Sequence, residues 1–339
     1  MSSAVIGRKW HVASVGSFAD GALEQRVSDG VTRVEDLLAR SVHSPEPLVA
    51  EASSHLLQAG GKRFRPLLTL LCAEFGDPAA PQIVPAAVVV ELTHLATLYH
   101  DDVMDEASMR RGAPSANARW DNSVAILVGD FLFARASSLV ADLGPEAVRI
   151  QAETFARLVH GQLRETLGPG PDEDRLQHYL SVVADKTGSL IATAARFGAM
   201  MSGAGPDVEQ TLLEFGERIG IAFQLADDII DVASDAGDSG KVPGTDLREG
   251  VPTLPTLLVQ ASPVNGDERL RELLAGPIAD EDDVQWVIRA LREHPAMDEA
   301  RAYVRAEADA ARTLLAKLPE GAARDALDEI CTRATDRLG

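Results

Sequence analysis

The chain has 339 residues, of which 45% are hydrophobic, so it is long and apolar enough to bury a sizeable core. Its formal charge is −20 and it contains no long lysine and arginine run, so nucleic acid is not an expected partner. The only two cysteines, Cys72 and Cys331, lack metal-spaced neighbours, which argues against a zinc site or disulfide framework and favours a reducing cytoplasm. No continuous apolar segment follows Arg8 and Lys9, and we expect no run that reaches membrane-spanning length.

Six segments carry apolar residues at the three- and four-residue spacing of a buried helix face. In chain order they are residues 31–38, 88–98, 124–139, 147–163, 176–197 and 212–230. Clusters of Gly, Pro and Asp separate them, at residues 76–81, 111–114, 142–146, 167–174 and 202–207. Aromatic residues are 4% of the chain, and no alternating pattern is convincing as a strand. The sequence therefore predicts an all-α helical bundle.

Residues 234–253 are rich in Gly, Asp and Pro and are too many for an ordinary helix connection, so we expect a functional lid or loop there. From Asp267 onward the predicted helices are amphipathic and highly charged, which indicates a solvated outer layer. We expect one domain over residues 26–339, preceded by an N-terminal segment, residues 1–25.

The first acidic cluster, Asp101, Asp102 and Asp105, follows an apolar helical segment. One helical turn separates Asp101 from Asp105, so the two carboxylates point the same way. Mg²⁺ is commonly held by one or two carboxylates together with substrate phosphate oxygens. On its own, such a cluster is more simply interpreted as a solvated acidic helix end.

A second cluster repeats this spacing with Asp227, Asp228 and Asp231. Apolar residues flank both clusters, and buried carboxylates are costly unless cations neutralise them. Metal binding is then the simpler explanation. Two such helices facing each other would hold one diphosphate through bridging Mg²⁺ ions.

The stretch Gly60-Gly61-Lys62-Arg63-Phe64-Arg65-Pro66 places three cations after two glycines, at a predicted helix start. Arginine suits bidentate phosphate contacts and lysine provides a compact charge, so the stretch predicts a second anion site. A surface basic patch is the alternative.

Together these motifs resemble those of the trans-isoprenyl diphosphate synthases, and of the polyprenyl diphosphate synthases in particular. The resemblance covers residues 60–255 and rests on GGKRFRP, HLATLYHDDVMD, RRGAPSAN, VGD, KTGSL, FQLADDIID and GKVPGTDLREGVPTLP. It implies an isoprenoid-synthase-type helical bundle around a central cavity. It also implies an enzyme that condenses isopentenyl diphosphate with an allylic diphosphate.

The resemblance assigns roles to individual positions. The Mg²⁺ ligands would be Asp101, Asp105, Asp227 and Asp231, with Asp102 and Asp228 in support. The isopentenyl diphosphate site would comprise Lys62, Arg65, His94 and Arg111. The contacts to the allylic diphosphate would be Arg110, Lys186, Thr187, Gln224 and Lys241. Residue spacing agrees for His94, which lies two helical turns before Asp101 on the same face.

The implied reaction is dissociative: the diphosphate leaves the allylic carbon, the isopentenyl double bond attacks the resulting cation, and a proton is lost. The departing diphosphate would be the base, so no dedicated catalytic Glu or His is expected. The family also implies a homodimer, and an apolar product implies transient contact with a membrane.

Chain length is expected to depend on side chains before Asp101. Short-chain relatives often carry a large aromatic residue at the positions of Ala96 and Thr97, which are small here. We therefore expect a long product, about seven to ten isoprene units, for a quinone side chain. A short-chain farnesyl or geranylgeranyl diphosphate synthase is the alternative.

Two other classes compete. A class I terpene cyclase also uses an Asp-rich site, but FQLADDIID and the GGKRFRP stretch argue against it. A non-catalytic partner subunit of a heteromeric synthase would be expected to lose the aspartates, and this chain keeps all six.

Overall fold

The computed structural model describes residues 18–233, 243–262 and 266–336. The chain forms two compact units. The first contains the residues up to Ile150, Ala194–Glu209 and Pro319–Ala326. The second contains Gln151–Thr193, Gln210–Leu318 and the residues from Leu327 onward. The prediction of a single domain over 26–339 stays a prediction.

The described residues are mostly helical, as predicted. The first eight helices are α1 (Gly21–Ser41), α2 (Pro47–Gln58), α3 (Phe64–Ala73), α4 (Ile83–Met104), α5 (Ala116–Arg119), α6 (Asn122–Ala141), α7 (Pro145–Leu167) and α8 (Arg175–Val183). A π-helical turn, Ala184–Gly188, joins α8 to the next helix. The remaining helices are α9 (Ser189–Ser202), α10 (Pro206–Ala233), α11 (Thr245–Glu249), α12 (Leu254–Ala261), α13 (Glu268–Leu273), α14 (Glu281–Glu293), α15 (Pro295–Leu315) and α16 (Ala322–Asp336).

All six segments predicted from apolar spacing lie inside helices, and the predicted breaks fall mainly between helices. The break at 111–114 lies in a small antiparallel hairpin, β1 (Met109–Arg110) and β2 (Ala113–Pro114), in which Arg110 pairs with Ala113. This is the one sheet among the described residues. Within the predicted lid, residues 234–242 lie outside the described residues, and the following stretch forms the short helix α11.

Helix α4 is the core element of the first unit and packs against α1, α3 and α6. Its residues 86–93 are all buried, which explains why this helix is apolar on every face. Helix α1 instead buries a single stripe that includes Leu23, Val27 and Val34. Asp20 caps its N-terminus by accepting a hydrogen bond from the Leu23 backbone N–H at 2.7 Å.

In the second unit, α10 lies close to the start of α9. A Cβ on Gly216 would stand 2.7 Å from the Cα of Ala192, so only glycine allows this approach. Helix α12 packs against α8 and α15, and α14 buries one apolar face through residues such as Val284 and Leu291. The charged, amphipathic character predicted for the C-terminal helices is confirmed for α14.

The expectation that no segment reaches membrane-spanning length is wrong. By length and composition, Ile83–Met104 and Asn122–Ala141 are both long and apolar enough. The most apolar window of the first is 67% buried within the protein, as is typical of a core helix. The corresponding window of α6 is 33% buried, so this helix leaves much apolar surface exposed.

Candidate active site

The first acidic triplet lies at the C-terminal end of α4. Asp105 is exposed and Asp101 partly exposed, whereas the side chain of Asp102 is fully buried. Because successive residues turn by 100° around a helix, the outer two carboxylates lie on one face and the middle one points inward. Asp101 and Asp105 thus share a helix face, and their pairing around a metal ion stays a prediction.

The buried middle carboxylate is held by the hairpin. Oδ1 of Asp102 accepts a hydrogen bond from Nε of Arg110 at 2.5 Å. Burial raises the pKa of Asp102, and the neighbouring Arg110 opposes that rise. Oδ2 of Asp102 is buried without a hydrogen-bond partner among the described residues. Arg110, predicted to contact the allylic diphosphate, thus has a structural contact to the first triplet.

Arg111 occupies the turn of the hairpin with φ of 54°, and Gly112 follows with φ of 74°. Two successive positive φ values belong to a type I′ turn, which a non-glycine residue adopts only when its surroundings hold it there. Arg111 is held by the C-terminal end of α2 and the loop after it. Its Nη1 donates to the carbonyl oxygen of Leu56 at 3.0 Å and also to that of Gly60.

A cluster of cations surrounds His94, which lies two helical turns before Asp101 on α4. Burial, and then the charges of Arg65 and Arg111, hold the pKa of His94 well below its usual range, so its imidazole is neutral at pH 7. Burial also lowers the pKa of Arg65 to about 10. Nε of Arg65 is buried and has no hydrogen-bond partner in the described part of the chain. An anion would satisfy it.

Glu91, one turn before His94, is a buried carboxylate that offsets part of this positive charge. Its charge opposes the lowering of the pKa of both Arg65 and Arg111, which places all three within electrostatic reach. Glu91 is not among the site residues predicted from the sequence. Its position three residues before His94 was the available signal, since the two residues share a helix face.

The interpretation of GGKRFRP as three anion-binding cations needs a correction, because Arg63 is structural. It is buried, has φ of 49° and pairs with Glu35 and, at 3.1 Å, with Glu91. Its Nη groups also donate to the carbonyl oxygens of Gly60 and Leu57. Lys62, by contrast, is exposed, so two cations of the stretch remain candidates for binding an anion.

The glycine pair of that stretch has a clear conformational role. Gly60 and Gly61 have φ of 101° and 147°. A Cβ on Gly61 would stand 2.7 Å from Nη1 of Arg63 and 3.0 Å from Arg111. Glycine is therefore required for the loop to pass between the two guanidinium groups.

The second triplet, on α10, divides in the same way. Asp227 is exposed and Asp231 partly exposed, while Asp228 is buried. Asp228 accepts hydrogen bonds from the Tyr179 hydroxyl, from Nε2 of Gln224 at 3.0 Å and from the Leu254 backbone N–H at 3.3 Å. Burial raises the pKa of Asp228 to about 6, although these hydrogen bonds lower it. These three hydrogen bonds hold the Asp228 carboxylate inside the protein, which is compatible with the supporting role predicted for it.

The remaining predicted allylic contacts surround the π-helical turn. Lys186 pairs with Glu165 of α7, so its charge has a protein partner in addition to the predicted diphosphate. Oγ1 of Thr187 donates to Oε1 of Gln224 at 3.2 Å. π-helical turns are often found at functional sites, and here one brings Thr187 to Gln224. Lys241 lies outside the described residues.

The predicted chain-length positions lie on the part of α4 that precedes the triplet. Ala96 is 0% exposed and Thr97 is partly exposed, with its hydroxyl donating to the His94 carbonyl at 2.8 Å. A cavity of about 440 Å³ in the first unit is lined by other residues, including Arg33, Leu37 and Pro81. None of the predicted site residues lines this cavity.

The VGD motif positions His100, next to the first triplet. A Cβ on Gly129 would stand 2.3 Å from Nε2 of His100, so glycine lets the imidazole of α4 lie directly on α6. The same nitrogen lies 3.1 Å from the Ile126 carbonyl oxygen and 3.5 Å from Asp130. The motif fixes the contact between α4 and α6 beside Asp101.

Divalent ions fit the donor sets of both triplets. No group of three or more Asp, Glu, His or Cys side chains that could hold a metal ion occurs within the described ranges. Mg²⁺ does not require such a cage, because substrate phosphates and water complete its coordination. Each triplet offers two outward carboxylates with hard oxygen donors, as this mode needs. The triplets belong to different units, so a joint site between them stays a prediction.

The sequence profile of the polyprenyl synthetase family matches residues 46–291. The nonaprenyl diphosphate synthase of Mycobacterium tuberculosis is 49% identical over 321 residues, covering 94% of this chain and 96% of that protein. The heptaprenyl diphosphate synthase component 2 of Geobacillus stearothermophilus is 37% identical, covering 91% and 96%. The crystal structure of geranylgeranyl pyrophosphate synthase from Corynebacterium glutamicum, complexed with calcium and isoprenyl diphosphate, superposes with a TM-score of 0.86 at 45% identity, covering 95% of this chain and 99% of that chain.

Proposed function

Because this chain belongs to the polyprenyl synthetase family and is a prenyltransferase, we propose that it is a Mg²⁺-dependent trans-polyprenyl diphosphate synthase. It adds isopentenyl diphosphate head to tail to an allylic diphosphate. The observation that carries the proposal is the arrangement on α4. One helix brings His94 into a cluster with Arg65 and Arg111, and two turns later presents the outward carboxylates of Asp101 and Asp105. An anion site and a metal-binding carboxylate pair thus share one rigid element.

Isopentenyl diphosphate is assigned to this cationic cluster. Arg65 and Arg111 supply charge and paired N–H donors for the diphosphate. His94 is neutral, so it can donate one N–H to the diphosphate without a positive charge that Arg65 would repel. Exposed Lys62 completes the set. Nε of Arg65 is buried and has no hydrogen-bond partner among the described residues, which supports this assignment. A bound phosphate oxygen would accept the missing hydrogen bond.

The metal ions are assigned to Asp101 and Asp105 in the first unit and to Asp227 and Asp231 in the second. When bound, Mg²⁺ neutralises charge on the departing diphosphate. The Corynebacterium structure with calcium and isoprenyl diphosphate supports the use of a divalent ion. Asp102 and Asp228 keep a positioning role, because their carboxylates are buried and accept hydrogen bonds from the protein.

The allylic diphosphate is assigned to Arg110, Lys186, Gln224 and Lys241, and Thr187 supports Gln224 through the hydrogen bond from its hydroxyl. The bond between its C1 and the diphosphate oxygen breaks, and the diphosphate leaves with the electron pair. The isopentenyl double bond then forms the new carbon–carbon bond, and a proton passes to the diphosphate. Apolar, buried helices such as α4 exclude water from the cation.

We assign a long-chain product of about seven to ten isoprene units, as the small Ala96 and Thr97 indicate. The nonaprenyl and heptaprenyl synthases among the relatives support this assignment. A shorter product is the second candidate, because the Corynebacterium geranylgeranyl synthase is 45% identical.

A homodimer is proposed from the exposed apolar face of α6, where Ile126 is 43% and Leu127 66% exposed. A heteromeric synthase is the competing assembly, since the Geobacillus relative is a component of one by name. We place the protein in the cytoplasm, with transient membrane contact when product leaves. Light scattering of the purified chain distinguishes a homodimer from a monomer that needs a different subunit.

The test of the proposed function is chromatography of the product made from farnesyl diphosphate, excess isopentenyl diphosphate and Mg²⁺. A ladder ending at about seven to ten units is expected. A product of four units would support the short-chain alternative. Purified chain that consumes no isopentenyl diphosphate with any allylic primer would contradict the proposal and favour a non-catalytic subunit.

A further inference from the structure

Tyr179 contacts the second acidic triplet but is not part of either acidic motif. It lies on α8, and its hydroxyl donates to Oδ2 of Asp228 on α10. The second oxygen of that carboxylate, Oδ1, accepts from Nε2 of Gln224 at 3.0 Å. Tyr179 and Gln224 thus share one carboxylate, and each occupies a different oxygen.

This sharing fixes the orientation of the Gln224 amide. An ionised carboxylate only accepts hydrogen bonds, so the NH₂ group of Gln224 must face Asp228 and its carbonyl oxygen must face the other way. There Oγ1 of Thr187 donates to Oε1 of Gln224 at 3.2 Å. The order of donors and acceptors from Tyr179 to Thr187 is therefore set by the buried carboxylate.

The orientation of Gln224 determines which N–H groups are available to an anion. A diphosphate oxygen requires a donor, and the hydroxyl of Thr187 has only one proton, which it gives to Gln224. The amide of Gln224 has a second N–H besides the one used by Asp228. Gln224 also shares its helix face with Asp227 and Asp231, at spacings of three and seven residues.

We propose that Tyr179 is a positioning residue for the allylic diphosphate: through Asp228 it holds the amide of Gln224 so that the second N–H is directed to the ligand. This inference rests on the proposed function. The same carboxylate also accepts from the Leu254 backbone N–H at 3.3 Å, which connects Tyr179 to the start of α12. Loss of the Tyr179 hydroxyl leaves Asp228 with one hydrogen bond fewer and lets its carboxylate turn away from Gln224.

The test compares Tyr179→Phe with Tyr303→Phe, which removes the same hydroxyl from α15. Two quantities are measured on each full-length protein: the dissociation constant of inorganic pyrophosphate with Mg²⁺ by calorimetry, and the KM values for both substrates. For Tyr179→Phe we expect about five- to ten-fold weaker pyrophosphate binding and a similar rise in the allylic KM. The isopentenyl diphosphate KM should change less than about two-fold, because its proposed cluster shares no residue with this network. Tyr303→Phe should match wild type.

Asp228→Asn provides a second, independent variant. Its side-chain amide can donate to Gln224, so the orientation of Gln224 is no longer imposed. We expect the same selective loss, and we expect Tyr179→Phe to add nothing on that background. This variant also carries the test if Tyr179→Phe does not fold.

An equal rise in both KM values, or a lower melting temperature with unchanged pyrophosphate affinity, would overturn the positioning role. Failure of the proposed function looks different: wild-type protein would then neither consume isopentenyl diphosphate nor bind pyrophosphate with Mg²⁺.

Discussion

Nε of Arg110 donates a hydrogen bond to the fully buried Oδ1 of Asp102 at 2.5 Å. This contact joins the hairpin to the end of α4, directly beside Asp101. It also gives the middle aspartate of the motif a structural role, because its side chain points inward and is fully buried. The hairpin and the first triplet are therefore one structural element in the first unit.

Arg110→Met should destabilise the fold, because it leaves the Asp102 carboxylate buried without its partner. We expect the free energy of unfolding to fall by about 2–3 kcal/mol, toward the low end for buried pairs, since the Arg110 side chain is 30% exposed. Denaturant titration followed by circular dichroism measures this loss. Adding Asp102→Leu should recover part of it, and a stability equal to wild type in Arg110→Met would show that the contact contributes little.

Gly129→Ala should disturb the end of α4, since the added Cβ would stand 2.3 Å from Nε2 of His100. We expect a loss of about 1–3 kcal/mol in unfolding free energy, together with reduced turnover. The matched control is Gly276→Ala, where the added Cβ meets open space. The double variant Gly129→Ala with His100→Ala should regain most of the lost stability. If it does not, the contact between the two residues is not the cause.

The two thiols give a pH-dependent prediction. Burial raises the pKa of Cys331 to about 12 and that of Cys72 also, against about 8.5 in an unfolded chain. Because the pKa of each thiol is higher in the folded state, ionisation of the thiols does not reduce the free energy of unfolding below a pH of about 8.5. It reduces this free energy progressively as the pH rises toward about 12. Ultraviolet absorbance of the native protein should show no thiolate near pH about 9, whereas the urea-unfolded chain should show both. Thiolate in the native protein at that pH would contradict the burial of these groups.

Thr97→Phe should shorten the product if the chain grows along α4. Thr97 is partly exposed, so the ring can enter with less overpacking than at Ala96, where Ala96→Phe should cost about 1–3 kcal/mol in stability. Both variants are compared by product chromatography with Ala302→Phe, an exposed position on α15. Wild-type product lengths from both α4 variants would show that the chain takes another route.

Much of the architecture follows from local sequence. The three- and four-residue apolar spacing correctly placed six segments within helices. The i, i+4 spacing alone predicted that Asp101 shares a helix face with Asp105, and Asp227 with Asp231. Helical geometry also implies that Asp102 and Asp228 point elsewhere. These features depend on residues close in the chain, which is why they could be predicted.

The partners of the inward groups could not be predicted in this way. Arg63 reaches Glu35 and Glu91, each 28 residues away, and Tyr179 reaches Asp228 across 49 residues. Such pairs depend on how helices pack, which no local pattern encodes. For the same reason the sequence indicated three anion-binding cations in GGKRFRP, although one of them is used to hold the loop.

The most direct test of the central claim measures transfer of labelled isopentenyl diphosphate onto farnesyl diphosphate by wild type, Asp101→Ala, Asp227→Ala and the exposed control Asp298→Ala. We expect Mg²⁺-dependent transfer that chelation abolishes, at wild-type rates in the control and reduced at least about a hundred-fold in each motif variant, with all four proteins folded. Near-normal transfer by either motif variant, or transfer that persists after chelation, would contradict the claim that both carboxylate pairs act through divalent ions.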